Sequence, residues 1–111
     1  MPGKSGENRG KEIMASNTRK VGSNRGAKRV WLEGKILGQA GWTAKKTRFD
    51  ITQSVHGLTL VRSDNGARRV SGKGDKPIID ICGATLGVVQ DFERVEIVAT
   101  FDAIEITQAK G

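Results

Sequence analysis

The residues of this chain that could do chemistry are its cations, and they come in matched sets. Arg19, Lys20, Arg25, Lys28 and Arg29 fall in one stretch, and Arg68, Arg69, Lys73 and Lys76 in another. Lys45, Lys46 and Arg48 make a secondary basic cluster. Such side chains suit phosphate, which they hold for affinity and orientation, and Arg on a β surface can also reach guanine edges in a major groove. The plainer alternative is a pair of solvated loops charged for solubility. Recurrence of basic residues at matching positions favours binding.

Little else points to reactivity. There is one His, one Cys and no Tyr. His56 precedes Gly57 and reads as a turn residue with no neighbouring nucleophile to serve. No Cys/His spacing suits zinc, no Asp/Glu cluster suits a Mg²⁺ nuclease, and no glycine-rich loop has phosphate-loop spacing. The expectation is a protein that is no enzyme and has no catalytic residue, metal or cofactor. Cys82 cannot form an internal disulfide and fits a reducing compartment.

The charge is uneven. The whole chain carries +7, but residues 77–111 hold Arg94 and Lys110 against six carboxylates, a net of −4, which leaves +11 on residues 1–76. A polyanion, nucleic acid before an anionic membrane, is the simplest partner for that excess. The acidic second half offers a surface for a protein partner, or it is plain drift of a solvent face. No apolar run is long enough to span a membrane, and no apolar leader opens the chain, so a cytoplasmic location is expected.

The elements that must position these cations are legible as a repeat. Arg19 and Val21 recur as Arg68 and Val70, Val30 and Leu32 as Ile79 and Ile81, and Gly34, Leu37 and Gly38 as Gly83, Leu86 and Gly87, at an offset of 49 residues. Further on the spacing shortens: Phe49 and Ile51 are matched to Ile97 and Ala99, and Leu58 and Leu60 to Ile104 and Ile106. Alternation of apolar and polar residues predicts strands at 18–21, 29–33, 47–55, 58–61, 67–70, 78–81, 95–101 and 104–107. Short helices are predicted over 34–40 and 83–89, with glycine as a stop. Residues 22–26 and 71–76 read as loops. A unit of this size cannot bury its apolar face alone, so two copies should share one core as a pseudo-symmetric pair. Residues 1–17 read as a flexible basic tail, and residues 18–111 as one domain of two repeats, 18–66 and 67–107. Trp31 lies out of phase with Val30 and Leu32, either exposed to stack on a base or fill a partner groove, or, as large aromatics favour, packed in the core or at an interface, and Trp42 caps the core.

The stretch Arg29-Val30-Trp31-Leu32-Glu33-Gly34-Lys35-Ile36-Leu37-Gly38-Gln39-Ala40-Gly41-Trp42 resembles the strand–helix segment of SymE-like proteins of the AbrB/MazE swapped-hairpin superfamily. Phe49-Asp50-Ile51 and His56-Gly57-Leu58-Thr59-Leu60 look like the closing hairpin of that motif. The resemblance implies a mainly β fold, a pseudo-two-fold swapped-hairpin β-barrel. Family members carry one unit per chain and interleave two chains; here both units are fused, giving a monomeric pseudo-dimer or a homodimer. The family implies nucleic-acid binding more firmly than any one role; the repeat, the +11 section and the paired basic loops make the expected function a transcription regulator or nucleoid-associated protein, DNA ahead of RNA. The alternatives are an antitoxin or other protein-interaction module, and a SymE-like toxin acting on DNA or RNA. The nine cations of the two matched sets would then lie side by side on one shared β surface.

Overall fold

A computed structural model describes residues 12–109. In chain order it contains β1 (Ile13–Lys20), β2 (Gly22–Asn24), β3 (Ala27–Glu33), the short helix α1 (Lys35–Gln39), β4 (Arg48–Gln53), β5 (Gly57–Arg62), β6 (Arg68–Arg69), β7 (Ser71–Lys73), β8 (Lys76–Cys82), a 3₁₀ segment (Gly83–Asp91), β9 (Arg94–Thr100) and β10 (Ala103–Gln108). The strands form two antiparallel sheets. The larger has the order β1-β9-β10-β5-β4-β6, and the smaller β2-β3-β8-β7.

Both sheets are symmetric about one pseudo-dyad. In the smaller sheet Val30 faces Ile81 and Leu32 faces Ile79, so exchanging the units maps each pair onto the other. Trp31 faces Asp80 on the axis itself. In the larger sheet Leu58 faces Ile106 and Leu60 faces Ile104, with Thr59 facing Glu105 on the axis. The units also trade strands. β1 pairs with β9 of the other unit, and β6 pairs with β4.

Two strands in each unit are pieces of one extended segment that changes sheets. β1 runs through Val21 into β2, and β6 runs through Val70 into β7. Both valines are buried, and each donates its backbone N–H to a carbonyl at the crossing, Val21 to Glu93 and Val70 to Thr47, both at 2.9 Å. The ladders break at these crossings, and among the described residues β1 and β6 are the edge strands of the larger sheet. The expected closed barrel is therefore not formed; the architecture is two separate sheets joined by crossing strands, since closure would leave no edge strand.

The core lies between the sheets. Val30, Leu32, Ile79 and Ile81 face Leu58, Leu60, Val95, Ile97, Ile104 and Ile106, all at 3% exposure or less. Each such side chain contributes about 1.5–3 kcal/mol of transfer free energy. The helical segments close the ends with Ile36, Leu37, Leu86 and Val89. Gly34 (φ +64°) and Gly41 (φ +83°) delimit α1. In the second unit Gly87 (φ +57°) interrupts the segment, and β-branched Thr85, Val88 and Val89 disfavour helix, so 3₁₀ turns replace the predicted helix.

Three further sequence expectations change. Of the tail assigned to 1–17, Ile13 to Asn17 belong to β1, where the β9 ladder supplies what composition lacks; residues 1–11 lie outside the described residues. The predicted loops 22–26 and 71–76 are hairpins with two-residue turns, Arg25-Gly26 and Gly74-Asp75. The positive φ values of Arg25, Gly26 and Gly74 suit the turns that match strand twist. Finally, Phe49 and Ile51 correspond to Val95 and Ile97, not to Ile97 and Ala99. The ladder places Ile51 against Leu60 as Ile97 stands against Ile106. A slip of two residues keeps every side chain on its face, so hydrophobic alternation cannot detect it.

Gly57 starts β5 at φ +152°, and a Cβ there would collide with the carbonyl oxygen of Ile106 on the neighbouring strand. Gly57→Ala is expected to lower unfolding free energy by about 2 kcal/mol or more. Denaturant unfolding measures this, and a change within 0.5 kcal/mol (roughly the scatter of a neutral surface substitution) would contradict the close approach.

Candidate nucleic-acid interface

The ladders bring cations from different parts of the chain together at two places. At one end β1 sets Lys20 opposite Arg94 and Arg19 opposite Val95. At the other, β6 sets Arg69 opposite Arg48 and Arg68 opposite Phe49. These are the same pairs seen twice: the pseudo-dyad carries Arg19, Lys20 and Arg94 onto Arg68, Arg69 and Arg48. Like charges directly opposite on adjacent strands are destabilising. The fold holds two such pairs at equivalent positions.

Arg19, Lys20, Gly22, Ser23, Arg29 and Trp31 line a surface cavity of about 360 Å³. Its counterpart, about 210 Å³, is lined by Arg68, Arg69, Ser71 and Asp80 together with Phe49, Ile79 and Ile81. A shallow cavity beside the second brings Lys45 against Arg69, Val70 and Ser71. Lys45 is held there in a left-handed conformation (φ +66°) by its backbone N–H, which donates to the Val70 carbonyl at 2.7 Å. Lys46 is exposed in the same turn.

The nine cations of the two matched sets do not gather at one place: the first hairpins of both units form one four-stranded sheet, and the two sets stand at its opposite ends. The Arg25-Gly26 and Gly74-Asp75 turns precede β3 and β8, which run antiparallel, so the hairpin tips point in opposite directions. The seven residues of β3 put roughly 20 Å between them. Arg25 and Lys28 therefore extend the Arg19–Lys20 end, and exposed Lys73 and Lys76 extend the Arg68–Arg69 end. The structure instead merges two sets that lie apart in the sequence, joining Lys45 and Arg48 to Arg68 and Arg69. Arg94 escapes a sequence-based choice of site residues because it lies in the acidic half. Its match to Arg48 at the shorter spacing is the signal that could have found it.

Arg29 is already engaged. Its guanidinium donates to both carboxylate oxygens of Asp80 at 3.2 and 2.8 Å and sits 4.7 Å over the Trp31 ring. Arg48 donates to the Gly66 carbonyl at 2.8 Å and stays half-buried. Arg68 reaches the Thr85 hydroxyl at 3.4 Å. Trp31 is half-buried and outside the core cluster, whereas Trp42 is core, with its indole N–H on the Thr100 carbonyl at 3.0 Å and its ring against Phe49.

Arg62 is a cation of another kind. It stacks over Phe101 at 3.8 Å and near Trp42 at 5.2 Å, and donates to the carbonyls of Phe101 and Gly41, both at 2.7 Å. Burial lowers its pKa, against the opposing pull of Asp102 and Asp64. Its side chain is spent on the fold. Arg62→Ala is thus expected to lower the melting temperature, with a loss of about 2 kcal/mol from its charged hydrogen bonds and ring contacts, and to leave any polyanion affinity unchanged. Paired thermal melts and binding titrations check this; weakened binding without destabilisation would put Arg62 in the interface instead.

No family model, curated protein or solved structure matches this chain. Among the described residues no helix is long and apolar enough to cross a membrane, and no group of three or more His, Cys, Asp and Glu gathers as metal ligands would.

Proposed function

We propose that this protein binds nucleic acid, DNA ahead of RNA, as a transcription regulator or nucleoid-associated factor of the cytoplasm, without enzymatic activity. The observation that carries this reading is the pair of dyad-related cation clusters, Lys20 against Arg94 and Arg48 against Arg69. Each holds like charges opposite one another at a cost to stability. A phosphate between them would offset that cost. Cationic edge strands also discourage edge-to-edge aggregation, but that needs no matching cation on the inner neighbour. Two clusters about a dyad suit a duplex, whose strands are themselves two-fold related.

The swapped-hairpin architecture of SymE-like and AbrB/MazE proteins is part of the same proposal. What supports it is the exchange of β1 and β6 between units. One chain then supplies both halves, as a monomeric pseudo-dimer. A toxin acting on DNA or RNA would use the same clusters.

A second reading, an antitoxin or inhibitor that docks a protein, is favoured by a groove on the outer face of the larger sheet, the face that also carries Lys20, Arg94 and Arg48. Ile13, Val61, Val98 and Ala103 line it with Asp102 and Glu105. A basic protein partner would fit it.

The two readings separate on charge removal at the clusters. Lys20→Gln with Arg94→Gln, and separately Arg48→Gln with Arg69→Gln, should each weaken DNA binding. Each should also flatten its salt dependence by roughly one unit of slope for every phosphate no longer neutralised. Thermal stability should stay level or rise slightly in the first variant, because a like-charge pair is relieved, and fall modestly in the second, where Arg48 also gives up its hydrogen bond to the Gly66 carbonyl. Fluorescence anisotropy across a salt series measures the slope. Parent-like affinity in both folded double variants would remove the clusters from the interface.

A further inference from the structure

We infer that the two basic cavities take different parts of a nucleic acid: the Arg19–Lys20 cavity takes an unpaired nucleobase with its phosphate, and the Arg68–Arg69 cavity takes phosphate alone. This rests on the nucleic-acid reading above and names the ligand class of each cavity.

The difference arises on the pseudo-dyad. The cavities share two strand cations, Arg19 and Lys20 matching Arg68 and Arg69, and Gly22 matches Ser71, whereas Arg29 of the first has Ile78 as its counterpart. They differ again at the position the axis exchanges. The first cavity receives Trp31 and the second receives Asp80, which face each other across β3 and β8. An aromatic ring beside cations is the stacking platform of single-strand binding, and a carboxylate beside cations is not.

The platform is already assembled. Asp80 accepts from Nε and Nη2 of Arg29, a two-point grip that fixes the guanidinium over the indole. Guanidinium planes and aromatic rings both stack on bases splayed from a strand. Arg19 and Lys20 line the same cavity and stand where the attached phosphate would lie. The first cavity, about 360 Å³, is the larger of the two, the second being about 210 Å³. Asp80 serves both cavities at once. It orients Arg29 for the first and lowers the positive charge of the second.

Tryptophan fluorescence of the full chain tests this. Trp42 is 1% exposed and gives a constant background, so a ligand at the cavity is read through Trp31. The probes are a short oligothymidylate and an abasic strand of the same length and charge. The expected result is quenching by oligothymidylate only, with affinity roughly 5- to 100-fold above that of the abasic strand. Trp31→Ala should abolish that difference and leave the abasic affinity as it was, while Arg68→Gln with Arg69→Gln should weaken both strands alike. Equal affinity for both strands with unchanged Trp31 emission would overturn the base site and leave the phosphate-binding reading standing. Failure of both strands and of duplex DNA to bind would overturn the two together. The comparison of probes on the parent protein decides the matter even where a variant fails to fold.

Discussion

The ladders that join β1 to β9 and β6 to β4 are the interactions on which the rest of the molecule depends. Neither unit could complete the larger sheet by itself, because its first strand lies against the other unit's fourth. The exchange commits both units to one core, in which Val30, Leu32, Ile79 and Ile81 of the smaller sheet meet Leu58, Leu60, Ile104 and Ile106 of the larger. It also fixes where the extended first strands must bend. Val21 and Val70 are buried at those bends, and their backbone N–H groups find carbonyls on the partner strands' approaches. With little aromatic surface to bury, the chain relies on this interlocking of many small apolar side chains.

The same ladders arrange the charge. Arg19 and Lys20 come from the first unit and Arg94 from the second; Arg68 and Arg69 come from the second and Arg48 from the first. Each cluster is thus a product of strand exchange and would not exist in an isolated unit. The acidic excess of residues 77–111 does not fall on one side of the molecule, because the exchange threads both units through both sheets. Sequence polarity and spatial polarity are different things in such a fold.

Much of the fold is legible in the sequence because the repeat and the period-two alternation both report burial. The match of Val30 and Leu32 to Ile79 and Ile81 holds in the ladder, and their burial follows from their phase. What stays hidden has physical causes. The match of Phe49 slips by two residues because faces repeat every two. Gly22–Asn24 and Ser71–Lys73 look like loops because glycine and polar residues carry no strand signal, and only their hairpin partners make them strands. Ile13 to Asn17 look like tail for the same reason. The candidate site is half legible. Its cations stand out in the sequence, but grouping them by position in the chain puts Arg25 beside Lys73 and leaves Arg94 out, since strand exchange is invisible to a linear reading.

Interstrand backbone contacts in the isotopically labelled full chain, measured by nuclear Overhauser effects, test the exchange itself. The expected result is contact of Ser16 with Val98, Lys20 with Arg94, and Arg48 with Arg69. Contact of β1 with β4 and of β6 with β9, each first strand folding back on its own unit, would contradict it and would dissolve both cation clusters.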